Sequence, residues 1–257
     1  MKIMPSKALL FVWVNLALCC CSVKEDRSAC PCLLTMDLSA IDTSVVKVLN
    51  VLATSSDGIV FSDTVQSDDF SFLYAREVPH KDIRVTLWGT AGIDDRLDIP
   101  YGCECPALYM HAFDADTSGE TFHEIVDMKK NHCRLTVLFD GEVEMPYSLT
   151  FRGNVCGYDY KGLPSEGDFA CVAYPVEDVG SQITLPRQLD SSLMLDVEDG
   201  GSSLVKTFAI GEYLVKSGYD WTEADLEDVT IVLDYYVTGL TITYKGWDEE
   251  HTYNVTI

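Results

Sequence analysis

Cys32-Leu33-Leu34-Thr35-Met36-Asp37-Leu38 is the stretch that decides the fold. Cys32, Leu34, Met36 and Leu38 alternate with Leu33, Thr35, Asp37 and Ser39. An apolar set at every second residue lays one face of an extended chain against a core, so this is a sheet strand. Outward from it, further strands are predicted over residues 45–53, 59–62, 69–74, 83–88, 107–113 and 121–127. Asp57-Gly58 falls between the second and third strands, a hairpin signal because such a turn needs positive φ. A second series opens near Cys133. Leu135, Val137 and Phe139 lead to Asp140-Gly141 and a returning run through Phe151. Residues 193–197 and 204–208 flank Asp199-Gly200-Gly201, another hairpin signal. Val229, Ile231, Leu233, Tyr235 and Val237 share one face; Leu240, Ile242 and Tyr244 follow, then Tyr253, Val255 and Ile257.

Helical signals are few. Gly211 to Lys216 before Ser217-Gly218 reads as one or two turns with a glycine stop. Thr222-Glu223-Ala224-Asp225 reads as a turn with a threonine cap and acids near its positive end. Closely spaced strands with turn residues between them predict an all-β architecture of two tandem β-sandwiches, with one or two short helical turns. The sandwiches are expected over residues 32–128 and 129–257, meeting near Met128-Lys129-Lys130-Asn131.

The chain has 257 residues, enough for one large domain or two ordinary ones, and 47% hydrophobic residues can fill a core. It carries 18 Lys+Arg against 41 Asp+Glu, a formal charge of −23. Such an acid excess repels phosphates, which excludes nucleic acid as a partner.

Residues 1–20 read as an export signal. Lys2 and Lys7 precede an apolar run from Ala8 to Cys21 that is too short to span a bilayer as a helix. The run ends in Leu18-Cys19-Cys20-Cys21, which resembles a bacterial lipobox. Cys21 is the expected acylated residue, with Cys19 and Cys20 as alternatives. Loss of Lys2 and Lys7 with the signal leaves 16 basic and 41 acidic residues, a charge of −25. Residues 21–31 then form the acylated cysteine and a polar tether. Its Lys24-Glu25-Asp26 resembles the acidic export signal of outward-facing lipoproteins in Bacteroidota.

Seven further cysteines stand at 30, 32, 103, 105, 133, 156 and 171. The pairs Cys30-Pro31-Cys32 and Cys103-Glu104-Cys105 have tighter spacing than structural zinc prefers, so disulfides or buried thiols are expected instead. No metal or cofactor is expected. Asp114 to Gly119 starts like a calcium loop, but Ile125 stands where the bidentate glutamate belongs. His123-Glu124 starts like a zinc-protease helix, but Asp127 replaces the second histidine. Neither a nucleophile elbow nor a phosphate loop is present, and the five histidines are scattered, so no catalytic residue is assigned and no enzyme is expected.

Two stretches resemble the FimB-like family of Bacteroidales fimbrial lipoproteins. One is Cys21 to Pro31; the other is Phe208-Ala209-Ile210-Gly211-Glu212-Tyr213-Leu214 with Gly218-Tyr219-Asp220-Trp221, Asp225-Leu226-Glu227-Asp228 and Gly246-Trp247. The resemblance implies transthyretin-like sandwiches and an anchor or minor subunit of a type V fimbria. Its partners would be fimbrial stalk or other fimbrial subunits, and the outer membrane through the lipid anchor. Stalk subunits of the family lose their first strand after cleavage at an arginine in the following loop, and a neighbour's strand fills the groove. Here that loop, Ser39-Ala40-Ile41-Asp42-Thr43-Ser44, has no Arg or Lys; the nearest are Arg27 and Lys47. This favours an anchor or terminal subunit, at either the base or the tip. The candidate donor strand is 251–257, with Tyr253, Val255 and Ile257 as its pocket-filling face, against the plainer reading that it closes its own sandwich. Tyr219, Trp221 and Trp247 either pack a short helix or form a ligand surface. The alternative function is a stand-alone surface lipoprotein that binds glycan or host protein.

Overall fold

Strand β1 (Cys32–Asp37) buries its alternating face as the sequence predicts, and it does so in the middle of a sheet. The computed structural model describes residues 30–70, 73–90, 96–140, 147–175, 180–200, 203–233, 239–245 and 250–256. Strand β2 (Val48–Ser55) turns at Asp57-Gly58, with Gly58 at φ 118°, into β3 (Gly58–Gln66). Then come β4 (Leu73–Val78), β5 (Asp82–Thr90), β6 (Tyr109–Asp116), β7 (Thr121–Ile125) and the short β8 (Lys129–Lys130). They form a three-stranded sheet in the order β4-β1-β7 and a five-stranded sheet in the order β3-β2-β5-β6-β8. One apolar core contains residues of both, among them Leu34, Met36, Leu49, Val51, Val85 and Leu87.

The second sandwich repeats the plan. Strands β9 (His132–Phe139), β12 (Ser181–Pro186), β15 (Val229–Leu233), β16 (Gly239–Lys245) and β17 (Glu250–Thr256) form a sheet in the order β12-β9-β15-β16-β17. Strands β10 (Ser148–Tyr158), β11 (Pro164–Ala173), β13 (Met194–Glu198) and β14 (Leu204–Phe208) form the other, in the order β11-β10-β13-β14. Helix α1 (Ile210–Ser217) buries Ile210 and Leu214 in this core and stops at Gly218, whose φ of 95° suits only glycine without strain.

Local differences from the sequence reading have local causes. Strand β2 starts at Val48 rather than 45 because the Asp42 carbonyl accepts the amides of Val45 and Val46, closing a turn. Asp69 belongs to a 3-10 turn (Ser67–Asp69), and the strand expected over 69–74 begins at Leu73. Thr222 caps no helix. Its hydroxyl donates to the Asp220 carboxylate at 2.7 Å, which also takes its amide at 2.8 Å. Residues 234–238, where one strand was expected to continue, lie outside the described residues. Strands β11 and β12 have no counterpart in the sequence reading.

The two sandwiches are bolted together. Segment 97–108, between β5 and β6, crosses to the second sandwich, where Ile99, Cys105 and Leu108 join the core. Ile99 donates to the Cys156 carbonyl at 2.7 Å, and Gly157 (φ 147°) lies so close that a Cβ would meet the Leu97 carbonyl oxygen at 2.3 Å. In the other direction, the β10–β11 turn lies on the outer face of β5, where the Thr86 hydroxyl donates to the Tyr160 carbonyl at 2.7 Å.

The stretch 219–228 explains itself as a clasp on the connection between the sandwiches. Asp225 accepts the Lys130 amide at 2.8 Å, and Asp228 takes the Lys130 ammonium at 2.6 Å and the Arg134 amide at 2.8 Å. Arg187 holds the clasp from below. Its guanidinium donates to the carbonyls of Trp221, Glu223 (2.7 Å) and Ala224 (3.2 Å) and to the Asn131 side chain (3.0 Å).

His132 sits at the same junction, buried, its Nδ1–H donating to the Leu108 carbonyl at 3.0 Å. Burial pushes its imidazole pKa down to about 4 from 6.5. A base with a depressed folded pKa is neutral in the native state, so its contribution is lost as pH falls from the unfolded pKa toward the folded one. Chemical denaturation at pH 6.5 and pH 4 is expected to show a loss on the order of 3 kcal/mol from this residue. The His132→Gln variant should lack that part of the fall; an identical fall in the variant would contradict the assignment.

Candidate functional site

Two strands with opposite surroundings frame the candidate site, one held on both sides and one at the end of a sheet. Strand β1 is fixed on both sides. It pairs antiparallel with β4 from Cys32↔Val78 to Asp37↔Leu73, and parallel with β7 from Leu33↔Thr121 to Asp37↔Ile125. Cys32, Leu34, Met36 and Leu38 are each 0% exposed. Burying Leu34, Met36 and Leu38 contributes roughly 5–9 kcal/mol. That is comparable to the whole stability of an ordinary domain. The groove that β1 occupies is therefore filled by the chain's own residues.

The loop after β1, residues 39–44, carries no Arg or Lys and is tightly tied. Asp37 caps the Ser39 amide at 2.9 Å, Asp42 caps Ser44 at 2.7 Å, and Ile41 tucks into the core. Lys47 lies just before β2. Its amide donates to Thr90 at 3.0 Å and its carbonyl accepts Ser67 at 2.9 Å, so its backbone is paired in both directions. At the opposite end of β1, the His80 ring nitrogens face the carbonyl oxygens of Cys30 and Thr117.

Strand β17 has the opposite character. It pairs antiparallel with β16, from Gly239↔Thr256 to Lys245↔Glu250, and terminates the five-stranded sheet. Tyr253 and Val255 are half-buried against the second core, and the His251 ring stacks on Tyr244 at 4.8 Å. Its outer edge leaves alternate backbone N–H and C=O groups pointing away from the sheet. Of the sequence-predicted site residues, Tyr253 and Val255 fall on one face of β17, while Ile257 and Cys21 lie outside the described residues.

Tyr219 and Trp221 form no open ligand surface. They are 4% and 5% exposed, with ring centroids 4.8 Å apart, and Tyr219 packs on Tyr244 at 5.3 Å. Trp247 lies outside the described residues. The cysteine pairs are not brought together either, since Cys32 sits in the first core and Cys105 in the second. All seven described cysteines are free thiols. Asp114 pairs with Arg84 at 3.0 Å, and Asp116 accepts the Ser118 amide at 3.0 Å, so the calcium-like stretch is an ordinary strand end and turn. No group of three or more His, Cys, Asp or Glu side chains among the described residues could hold a metal ion. No helix among them is long and apolar enough to cross a membrane.

No protein-family model and no curated protein sequence matches the chain. Solved structures do. A candidate polysaccharide-binding protein from Bacteroides thetaiotaomicron superposes with a TM-score of 0.64 at 10% identity, covering 88% of this chain and 98% of the other. The fimbrial anchor protein Mfa2 from Porphyromonas gingivalis superposes with a TM-score of 0.57 at 15% identity, covering 87% and 100%. The fold is that of Bacteroidales fimbrial and adhesin proteins. A candidate adhesin from Bacteroides ovatus extends the likeness, with a TM-score of 0.56 at 15% identity over 87% of this chain and 95% of its own.

Burial separates the thiols by reactivity. It pushes the Cys133 thiol up to about 12 and the Cys171 thiol up to about 11, whereas Cys30 and Cys103 are exposed. Since the thiolate is the nucleophile, iodoacetamide at pH 8 is expected to label Cys30 and Cys103 in the native protein. Cys133 and Cys171 should label only in denaturant, and prompt native labelling of Cys133 would contradict this packing.

Proposed function

We propose that this chain is a non-enzymatic, lipid-anchored fimbrial subunit, the anchor or terminal minor component, facing outward from the outer membrane. It joins stalk subunits by β-strand addition. The observation that carries this reading is the contrast between a filled first-strand groove and an exposed last strand. A subunit whose groove is filled by its own β1 accepts no donor there, so it ends a chain of strand exchange rather than continuing it. Strand β17, or its outer edge, is the element it offers. Backbone hydrogen bonds would supply affinity, and Tyr253, Val255 and Ile257 would fill a partner's pockets.

The tether carries the other half of the role. Acylation at Cys21 would hold the chain at the membrane, and one chain alone binds marginally, so two or more acyl groups are needed for stable anchoring. The fold supports the fimbrial reading because the anchor protein Mfa2 shares it along nearly its whole length. The acid excess of −23 keeps phosphate-rich partners away.

The test is copurification of the tagged chain from gently solubilised outer membranes of its own host, with mass spectrometry of partners and of the amino-terminal peptide. The expected result is recovery of fimbrillin-like subunits with an acylated Cys21 and an intact β1. Deleting 250–257 should abolish partner recovery without releasing the protein from the membrane, and Cys21→Ser should release it. Recovery of an abundant lipidated protein with no fimbrillin partner would overturn the fimbrial reading. Unchanged partner recovery after the deletion would overturn the role of β17.

A further inference from the structure

Away from the sheet edges, the two sandwiches enclose an open cleft of about 530 Å³. Its floor is the outward face of β2, β5 and β6, where the register sets Thr54 beside Arg84, Arg84 beside Asp114 and Asp82 beside Asp116. Its roof is the β10–β11 turn, which contributes Lys161. Higher on the same face, the turn covers Thr86, so the cleft begins where the second sandwich stops shielding the first.

Arg84 and the backbone of the turn are held in place before any ligand arrives. Arg84 donates from Nη1 to Asp114 at 3.0 Å and from Nη2 to the Lys161 carbonyl at 3.4 Å, which ties floor to roof. Asp159 accepts the amides of Lys161 (2.8 Å) and Leu163 (2.9 Å), so the turn that carries the roof is itself braced. A site built on inner strands and a pinned turn loses little entropy on binding.

The lining chemistry selects the ligand. Three carboxylates accept hydrogen bonds, a guanidinium and an ammonium donate, and the hydroxyls of Thr54 and the adjacent serines of the β2–β3 turn do both. Neighbouring strands stand about 4.8 Å apart, and same-face residues along one strand about 6.6 Å, so acceptors and donors alternate in a fixed grid. The three Asp residues against Arg84 and Lys161 leave a local excess of one negative charge, on a chain that is strongly acidic throughout. Anionic ligands are therefore disfavoured. A peptide strand is disfavoured too, because the floor is a sheet face whose backbone groups are already paired between β2, β5 and β6. A cation would meet Arg84 and Lys161 among the carboxylates, so a neutral molecule dense in hydroxyl groups fits the alternating donors and acceptors best. Apolar surface at the margins fits this as well. Ile59, cross-strand from Thr54, is 70% exposed, and Tyr160, next to Lys161, is 67% exposed. Such side chains pack against the C–H faces of a pyranose ring while its hydroxyls meet the polar groups. The volume lies in the ordinary range of small-ligand sites, about 300–1,000 Å³.

We infer that this inter-sandwich cleft binds a neutral oligosaccharide through Asp82, Arg84, Asp114, Asp116 and Lys161. The role is separate from strand addition, which uses another sheet.

The test uses the full mature chain on an immobilised panel of neutral oligosaccharides, built from hexoses and N-acetylhexosamines, beside sulfated and uronate-containing ones. Any glycan retained is then titrated by calorimetry. The expected result is retention of neutral glycans and affinity at least tenfold weaker in the Asp82→Ala/Lys161→Ala double variant, at an unchanged thermal midpoint. Thr54→Phe, which fills the cleft without removing a charge, should weaken binding as much and serves if the double variant is unstable. Deleting 250–257 should leave glycan binding intact, which separates this site from the assembly reading. Retention of no neutral glycan, retention of acidic glycans only, or equal affinity in the well-folded cleft variants would each overturn the inference.

Discussion

Strand β1 is the constraint on which the rest depends. A strand in the middle of a sheet satisfies backbone groups on both edges and side chains on one face, so it cannot leave without exposing all three. Here it lies between β4 and β7 with three of its residues, and Leu38 just after it, at 0% exposure. The parallel pairing with β7 adds a further tie. Parallel neighbours need a crossover, and the whole stretch from β2 to β6 lies between these two strands in sequence. Withdrawing β1 would unfold a region that most of the first sandwich encloses. Filling the groove from within therefore closes the first core with the chain's own residues.

The junction between the sandwiches is the second structural theme. A contiguous chain boundary at Lys129–Lys130 would leave a hinge. Instead, segment 97–108 crosses into the second core, the β10–β11 turn crosses back over β5, and Asp225 and Asp228 close over Lys130 and Arg134. Arg187 directs its donors to three backbone carbonyls of the clasp, those of Trp221, Glu223 and Ala224, and to Asn131, which is why a charged group is tolerated there. These contacts join the two sandwiches from both sides, and the same junction shapes the cleft.

Strands with strict alternation were legible from sequence because a period of two has one physical reading. Cys32 to Leu38 and the hairpin at Asp57-Gly58 are examples, and the glycine stop at Gly218 was equally plain. Strand β11 was not, because Pro164, Gly167 and the acids Glu166 and Asp168 interrupt the apolar pattern; its apolar side chains gather only at the far end, from Phe169. The crossing of segment 97–108 was also invisible. Its Pro, Gly and Cys residues look like a connecting loop, and only tertiary packing shows that Ile99, Cys105 and Leu108 belong to the other core. Asp225 and Asp228 were legible as a resemblance but not as a mechanism, since their partners lie more than 90 residues earlier. The cleft had no sequence signal, because its residues come from three strands and a distant turn.

Native-state hydrogen exchange is the measurement that tests the central claim most directly. If β1 fills its groove permanently while β17 is an open edge, β1 amides exchange only through global unfolding, with the same free energy as the core of β5. Amides of β17 then exchange through local opening, at markedly lower free energy. Exchange of β1 as fast as that of β17, under conditions where β5 stays protected, would contradict the account.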